Sequence, residues 1–250
     1  MKIKVVIPCH LDSVRLEQKV LIDIQGLPMV EHVRRRALLS RKVNNVYVAT
    51  GDDQIKNIIK SYGGQVLFTK NNHINGTSRV SEAIDLVDCS HVILIQGDEP
   101  LLVPNYIDIF IENMEKSKDN LMWNGISEIY DKKSYLDHSI VKCTLDENYN
   151  IENCFRILPD KKKINKKIFK IQGLIGYEKN FLKKMVLSPE TKIAKSESIE
   201  QMKAIEIGNK IQGILIPKSL PSVNTKEELS FVKSILKKDI SQKEILNKIL

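Results

Sequence analysis

The chain has 250 residues, 42% of them hydrophobic and 28% charged, a balance that fits a soluble protein of one large domain or two small ones. No apolar run approaches the roughly 20 residues needed to span a bilayer, and the four cysteines (Cys9, Cys89, Cys143, Cys154) form no CxxC pair, which speaks against a zinc site and a disulfide framework. The formal net charge of +8 admits nucleic acid, but the cations are dispersed and aromatic residues few, so an anionic small molecule is the expected partner and nucleic acid is not.

The first seven residues run as a strand (4–7) into a loop. This start is too short and too β-branched for a signal peptide and no small-residue cleavage site follows, so the expected location is cytoplasmic, without membrane insertion. A helix is expected over 28–39 with Pro28 in its first turn, then a strand over 45–49. Residues 52–62 read as a helix with Asp52 or Asp53 at its N-cap and Gly63-Gly64 ending it. A short strand (66–68), a helix (78–87) and a strand (92–95) follow. The second half is less regular: strands at 140–145, 168–177 and 211–216, helices at 196–208 and 226–237. A lysine-rich loop at 159–167 reads as mobile or as part of a contact surface. Strands and helices alternate, with no internal repeat and no linker, so the expected fold is α/β: a single domain over 1–250 with a mostly parallel, Rossmann-like sheet flanked by helices.

The stretch His91-Val-Ile-Leu-Ile-Gln96-Gly97-Asp98-Glu99-Pro100 ends a buried strand abruptly in a glycine and two carboxylates. Ligands of open α/β sheets sit just past such strand ends, and a carboxylate there suits a divalent cation carrying phosphates; the plainer reading is an ordinary acidic turn. After the first strand, Pro8-Cys9-His10-Leu-Asp-Ser13-Val14-Arg15-Leu16-Glu-Gln-Lys19 is a polar loop ending in two cations four residues apart. An Arg fork and a Lys point charge suit a polyphosphate, although a solvated basic loop reads equally well. The loop has neither GxxxxGKS nor GxGxxG, so P-loop and dinucleotide readings are poor. Cys9 is a candidate nucleophile or simply a small residue in a tight loop.

These pieces together resemble the 3-deoxy-manno-octulosonate (KDO) cytidylyltransferase family, whose fold is of the nucleotide-diphospho-sugar transferase type. Ile7-Pro8-Cys9-His10, Ser13-Val14-Arg15-Leu16 and Lys19 are similar to its opening loop. Leu21-Ile-Asp-Ile-Gln-Gly26-Leu-Pro28-Met29-Val30 resembles its lead into the first helix. His73-Ile-Asn75-Gly76-Thr77-Ser-Arg79 resembles its His-x-Ser-Gly-Thr-x-Arg motif, and Gln96-Gly97-Asp98-Glu99-Pro100 matches in full. Ser139-Ile-Val-Lys142, Gly173-Leu-Ile-Gly176-Tyr177, Glu197-Ser-Ile-Glu200-Gln201-Met-Lys203 and Pro221-Ser-Val-Asn224-Thr225 resemble later segments, in order.

The resemblance implies an enzyme that binds CTP with magnesium and transfers CMP to the anomeric hydroxyl of a 2-keto-3-deoxy sugar acid, releasing pyrophosphate, for surface polysaccharide or lipopolysaccharide synthesis. Asp98, with Asn224, would hold the magnesium, and Arg15 and Lys19 would cradle the phosphates. Pro8, Cys9, His10, Asn75, Gly76, Thr77, Arg79, Gln96 and Gly97 would surround the nucleotide. Arg79, Gln96, Pro100, Lys142, Tyr177, Glu200 and Gln201 would meet the sugar acid. Residues 1–120 form the expected nucleotide-binding part, and 121–250 the sugar-acid and homodimer-contact part. Plainer roles stand beside these: His73 as a turn residue, Thr77 as a helix cap, Glu200 as a surface carboxylate paired with Lys203.

The chain departs from the family pattern at several points. His10 stands for an Arg, Asn224 for a metal-ligating Asp, Ile171 for a His, and the region around Phe155-Arg156 is altered. These changes suggest a different or modified acidic substrate, or a non-catalytic CTP-binding paralogue.

Overall fold

Alternate side chains of β1 (Ile3–Pro8) point to opposite faces and both faces are buried, Val6 in one core and Val5 and Ile7 in another. β6 (His91–Ile95) repeats the pattern, with Val92 and Leu94 on one side and Ile93 and Ile95 on the other. Strands apolar on both faces need a sheet covered on both sides, and each such buried side chain contributes roughly 1.5–3 kcal/mol. A computed structural model describes residues 1–13, 15–130, 132–158 and 166–250. It shows a single α/β domain.

The other strands of the main sheet are β4 (Val46–Thr50), β5 (Gln65–Phe68), β7 (Met122–Glu128), β8 (Lys142–Leu145), β9 (Ile151–Phe155), β10 (Ile168–Glu178) and β11 (Gln212–Leu215). A small hairpin, β2 (Asp23–Ile24) and β3 (Leu27–Pro28), stands apart. The order is β11-β7-β10-β6-β1-β4-β5, with β8 and β9 attached alongside β10. β6, β1, β4 and β5 are mutually parallel, as are β7 and β11. β10 runs antiparallel to both β6 and β7, with its register shifted between Ile171 and Ile175.

One face is covered by α1 (Met29–Leu38), α2 (Asp53–Ser61) and α4 (Pro104–Lys116) through Val30, Val33, Ile55, Ile59, Ile107 and Phe110. The other carries α3 (Gly76–Ala83), α6 (Lys179–Leu187), α7 (Lys192–Glu197) and α8 (Glu200–Glu206); between α4 and α6 lies the short α5 (Lys132–Leu136). α9 (Lys226–Lys238) and α10 (Ile240–Ile249) close the chain. A third cluster positions the site: Leu16, Leu101 and Val223 pack with Val232 and Leu236 of α9. It clamps the Arg15–Lys19 loop, the turn after β6 and the segment before α9 onto one another. Among the described residues no helix is long and apolar enough to cross a membrane.

Several expectations need correction. Pro28 is the N-cap of α1, outside its first turn. Asp52 is the N-cap of α2, yet its carboxylate does not cap the helix and instead accepts the Leu11 N–H at 3.1 Å. The helix expected over 78–87 begins at Gly76 and tightens to a 3-10 turn after Ala83. The helix expected over 196–208 is two: Ser198 adopts a left-handed conformation (φ 53°) between α7 and α8. The elements β7, β9, α4, α6 and α10 lay outside the sequence reading. Of the lysine-rich loop, 159–165 lie outside the described residues, whereas Lys166 pairs with Glu152 and Lys167 with Glu128.

Candidate active site

β1 ends at Pro8, and the Cys9 N–H continues its pairing to the Ala49 carbonyl at 2.9 Å. The loop that follows lines a cavity of ≈ 380 Å³ with Pro8, Cys9, His10, Arg15, Lys19, Asn75, Gly76, Arg79, Gln96, Gly97 and Asp98. Eleven of the residues named from the sequence therefore share one space. Glycine is needed at 97 because a Cβ there would lie 2.8 Å from Cys9 Sγ, and at 76 because a Cβ would lie 2.9 Å from Pro8 Cγ. Burial, with the charge of Asp98, pushes the Cys9 thiol up to about 12. It stays protonated, which removes it as a nucleophile.

At the mouth of β6 the Lys19 ammonium donates to Asp98 Oδ2 at 2.7 Å and to Asn224 Oδ1 at 3.1 Å. Arg15 Nη2 reaches the same Asn224 oxygen at 3.1 Å. Arg15 and Lys19 converge without sharing a helix: Lys19 opens a 3-10 turn after Gln18, which is left-handed. Asn224 is held from its own side, its N–H donating to Glu228 Oε2 at 2.6 Å within the capping box of α9. The Val223 N–H donates to the Asp98 carbonyl at 2.9 Å. Two cations and two side-chain oxygens from three distant segments thus meet at one strand end, where phosphates bind readily.

Asn75 caps α3, its side chain accepting from Ser78 N and its N–H donating to Ser78 Oγ. Thr77 is thereby free of capping. Its hydroxyl donates to Glu200 Oε2 and lies 3.4 Å from the Tyr177 hydroxyl. Tyr177 is fully buried and lines none of the cavities described here. Arg79 lines the first cavity but is 3% exposed, with Nη1 committed to Thr69 Oγ1 and the Lys70 carbonyl. His73 is bound to Glu82 at 2.7 Å.

A second cavity, of ≈ 540 Å³, shares Gln96 with the first and reaches Asn224, Glu200 and Gln201. Gln96 and Gly173 bond through their backbones at 3.0 Å, and Gly173 N donates to Glu99 Oε1 at 3.0 Å. Glu99, in the same motif as Asp98, is a site residue that the sequence leaves without a role; its carboxyl, desolvated and beside Asp98, is pushed up to about 7. Gln201 Nε2 donates to Asn124 Oδ1 at 2.8 Å. Pro100 is buried in the turn and does not line the cavity. Lys142 does not line it either: fully buried, its ammonium bonds the carbonyls of Asp137, Ile140 and Arg156 at 2.6, 3.0 and 2.9 Å. A buried ammonium with three acceptors knits loops together and offers nothing to a ligand. Glu200 is half-buried and unpaired with Lys203, which turns to Glu190 at 3.3 Å. A third cavity, of ≈ 350 Å³, meets the second at Ser198, Ile199 and Glu200 and is also lined by Thr77.

A family model described as cytidylyltransferase matches residues 4–211. The chain is 35% identical over 245 residues to the 3-deoxy-manno-octulosonate cytidylyltransferase of Fusobacterium nucleatum, covering 96% of this chain and 98% of that one. It is 33% identical over 235 residues to the 8-amino-3,8-dideoxy-manno-octulosonate cytidylyltransferase of Shewanella frigidimarina, covering 92% and 96%. Among solved structures, CMP:2-keto-3-deoxy-manno-octonic acid synthetase complexed with CTP superposes with a TM-score of 0.89 at 27% identity, over 96% of this chain and 100% of that one. A cytidylyltransferase from Leptospira borgpetersenii, at 14% identity and a TM-score of 0.67 over 100% and 92% of the two chains, shares the fold.

Proposed function

The chain belongs to the cytidylyltransferase family, and from that premise we propose that it transfers CMP from CTP to the anomeric hydroxyl of a 2-keto-3-deoxy octulosonic acid, KDO or a close relative, releasing pyrophosphate. The observation that carries the reading is the Lys19 ammonium held between Asp98 Oδ2 and Asn224 Oδ1, where the cavity of the first loop meets the cavity of Gln96 and Asn224. The first cavity takes the nucleotide and the second the sugar acid. The anomeric oxygen forms a bond to the α-phosphorus, the bond to the bridging oxygen breaks, and its electron pair leaves on pyrophosphate. Such a transfer needs positioning and charge neutralisation more than covalent help. Arg15 and Lys19 supply that neutralisation along the triphosphate. Gly76 and Gly97 keep the cavity wall low enough for close approach.

Magnesium suits this donor set. Two hard oxygens, from Asp98 and Asn224, already converge on one cationic group. Magnesium takes one or two protein oxygens and completes its shell with phosphates and water. Asp98 and Asn224 would hold it, and it would offset phosphate charge during transfer.

The test is pyrophosphate release from CTP with a panel of 2-keto-3-deoxy sugar acids, wild type beside Asp98→Ala. Turnover with one acid, lost in the variant, is expected; CTP binding without turnover on any acid would favour a non-catalytic paralogue. We also infer a homodimer formed through residues 121–250. Just past β9, Ile157 is an exposed apolar side chain that a second copy would cover. Light scattering tests it, a monomer mass being the contrary result.

A further inference from the structure

Three consecutive arginines on α1 have three destinations. Arg34 pairs with Glu31 at 2.6 Å, and Arg35 shares that carboxylate and reaches the Ile249 carbonyl of α10. Arg36 points inward. It is fully buried, and among the described residues no carboxylate pairs with it. Its Nη1 donates to the Leu102 carbonyl at 3.2 Å and to Gln242 Oε1 of α10 at 2.8 Å, while Nε and Nη2 have no partner among the described residues. Burial lowers the guanidinium to about 10, which leaves it charged near neutrality. A buried cation without a counter-charge is costly, and an apolar side chain of similar volume often replaces a buried ionic group without loss of stability. Filling the space between α1 and α10 therefore does not account for Arg36.

Its bonds do. The turn from Asp98 to Leu102 lies between β6 and α4, outside the sheet ladder, so its backbone groups need partners from elsewhere. The Asp98 carbonyl accepts from Val223 N at 2.9 Å and the Glu99 carbonyl from Leu102 N at 3.1 Å. At the exit of the turn, the Leu101 carbonyl accepts from Gln242 Nε2 at 3.0 Å and the Leu102 carbonyl from Arg36. Gln242 is 2% exposed, and its own N–H is held by the N-cap Asp239 at 3.0 Å. Leu101 also packs in the apolar cluster beneath α9, but such packing is non-directional. Hydrogen bonds are directional, and these two fix the peptide planes at Leu101 and Leu102. Neither Arg36 nor Gln242 lines the nucleotide cavity or the sugar-acid cavity.

Resting on the cytidylyl-transfer reading, we propose that Arg36 and Gln242 are positioning residues for Asp98, which make the last helix, α10, part of the active-site scaffold. Through Leu101 and Leu102 they set the direction in which the Asp98 carboxylate leaves the turn.

The experiment uses Gln242→Leu, which removes both of the amide's bonds, and Gln242→Glu, which keeps the acceptor for Arg36 and gains an ion pair but offers no N–H to Leu101. Arg35→Met is the control, loosening α10 at Ile249 without touching the turn. In metal-free protein, amide hydrogen exchange at Leu102 is expected to quicken by about tenfold or more in both Gln242 variants and to stay as in wild type in the control. With CTP, magnesium and 3-deoxy-manno-octulosonate, kcat for pyrophosphate release should fall roughly 10- to 100-fold in both, the loss typical of groups that orient a ligating carboxylate, while the KM for the acid stays near wild type. Gln242→Glu should be the more stable of the two by urea titration and yet as slow; it carries the test alone should Gln242→Leu fail to fold. The control should lose stability and keep its kcat. A wild-type kcat or unchanged exchange in Gln242→Glu, or a kcat that follows the urea midpoint across all three variants, overturns the proposal and leaves cytidylyl transfer standing. No pyrophosphate from wild type with any sugar acid removes the transfer reading, and this proposal with it.

Discussion

Replacing Gly173 by Ala tests the architecture that joins the two cavities. Gly173 sits where β10 shifts register, its N–H bound to Glu99 and its carbonyl to Gln96 N. An added Cβ would overlap Glu99 Oε1 and lie 2.8 Å from Gln96 Cγ and 2.9 Å from Glu99 Cδ, where ordinary contact begins at 3.4 Å. Both side chains must move by half an ångström or more, and such overpacking costs about 1–3 kcal/mol. Loosening the N–H bond to the Glu99 carboxylate adds about 1–3 kcal/mol, and the smaller backbone entropy of Ala returns about 0.4–1 kcal/mol. The expected net loss is about 2–4 kcal/mol, or a Tm lower by roughly 5–15 °C for a chain of this size. Because Gln96 and Glu99 both line the sugar cavity, the KM for the acid should rise as well. The decisive assay is a double-mutant cycle with Glu99→Ala by urea titration. If the clash is with Glu99, the second substitution recovers part of the loss, with a coupling of about 1 kcal/mol or more. Strict additivity, or a Gly173→Ala protein as stable as wild type, refutes the reasoning.

Three further outcomes follow from the geometry. Lys142→Met leaves three buried carbonyls without their donor and should lower stability by about 2–4 kcal/mol in urea titration while the acid's KM stays near wild type; a large rise in KM with unchanged stability would return Lys142 to the sugar site. Asn224→Asp adds a charge 3.1 Å from both Lys19 Nζ and Arg15 Nη2, and the half-saturating magnesium concentration for pyrophosphate release should fall about tenfold, an unchanged value contradicting its place in the metal site. Glu99 has a folded-state value of about 7 against an ordinary 4.5, so the folded protein holds the extra proton. Its contribution to stability is full below about pH 4.5 and is lost as pH rises through about 7. Without divalent metal, Glu99→Gln should flatten the pH dependence of the urea midpoint over that window; a slope equal to wild type would count against the burial of Glu99.

Local pattern was enough to read β1, β4 and β6 and the glycine and carboxylate at the end of β6, because a strand buried on both faces shows as an unbroken apolar run whatever its neighbours are. α4 is hard to read because Tyr106, Ile107, Ile109, Phe110 and Ile111 are β-branched or aromatic and suit a strand as well as a helix, and β7 because Asn124 and Ser127, polar and buried, break its apolar run. The break between α7 and α8 turns on one left-handed residue, Ser198, whose type does not announce it.

The sequence by itself determined the alternating α/β framework and the identity of the Arg15, Lys19 and Asp98 group, since strand periodicity and motif order are local properties of the chain. Tertiary structure decided the rest. Asn224 meets Lys19 across 205 residues and Arg15 across 209, an approach that no spacing encodes and that the apolar cluster beneath α9 enforces. The direction of β10, the withdrawal of Lys142 into a carbonyl cage and the unpaired state of Glu200 are likewise set by which distant groups arrive nearby. A side chain's partners, and hence its charge and its availability to a ligand, are properties of the packed molecule.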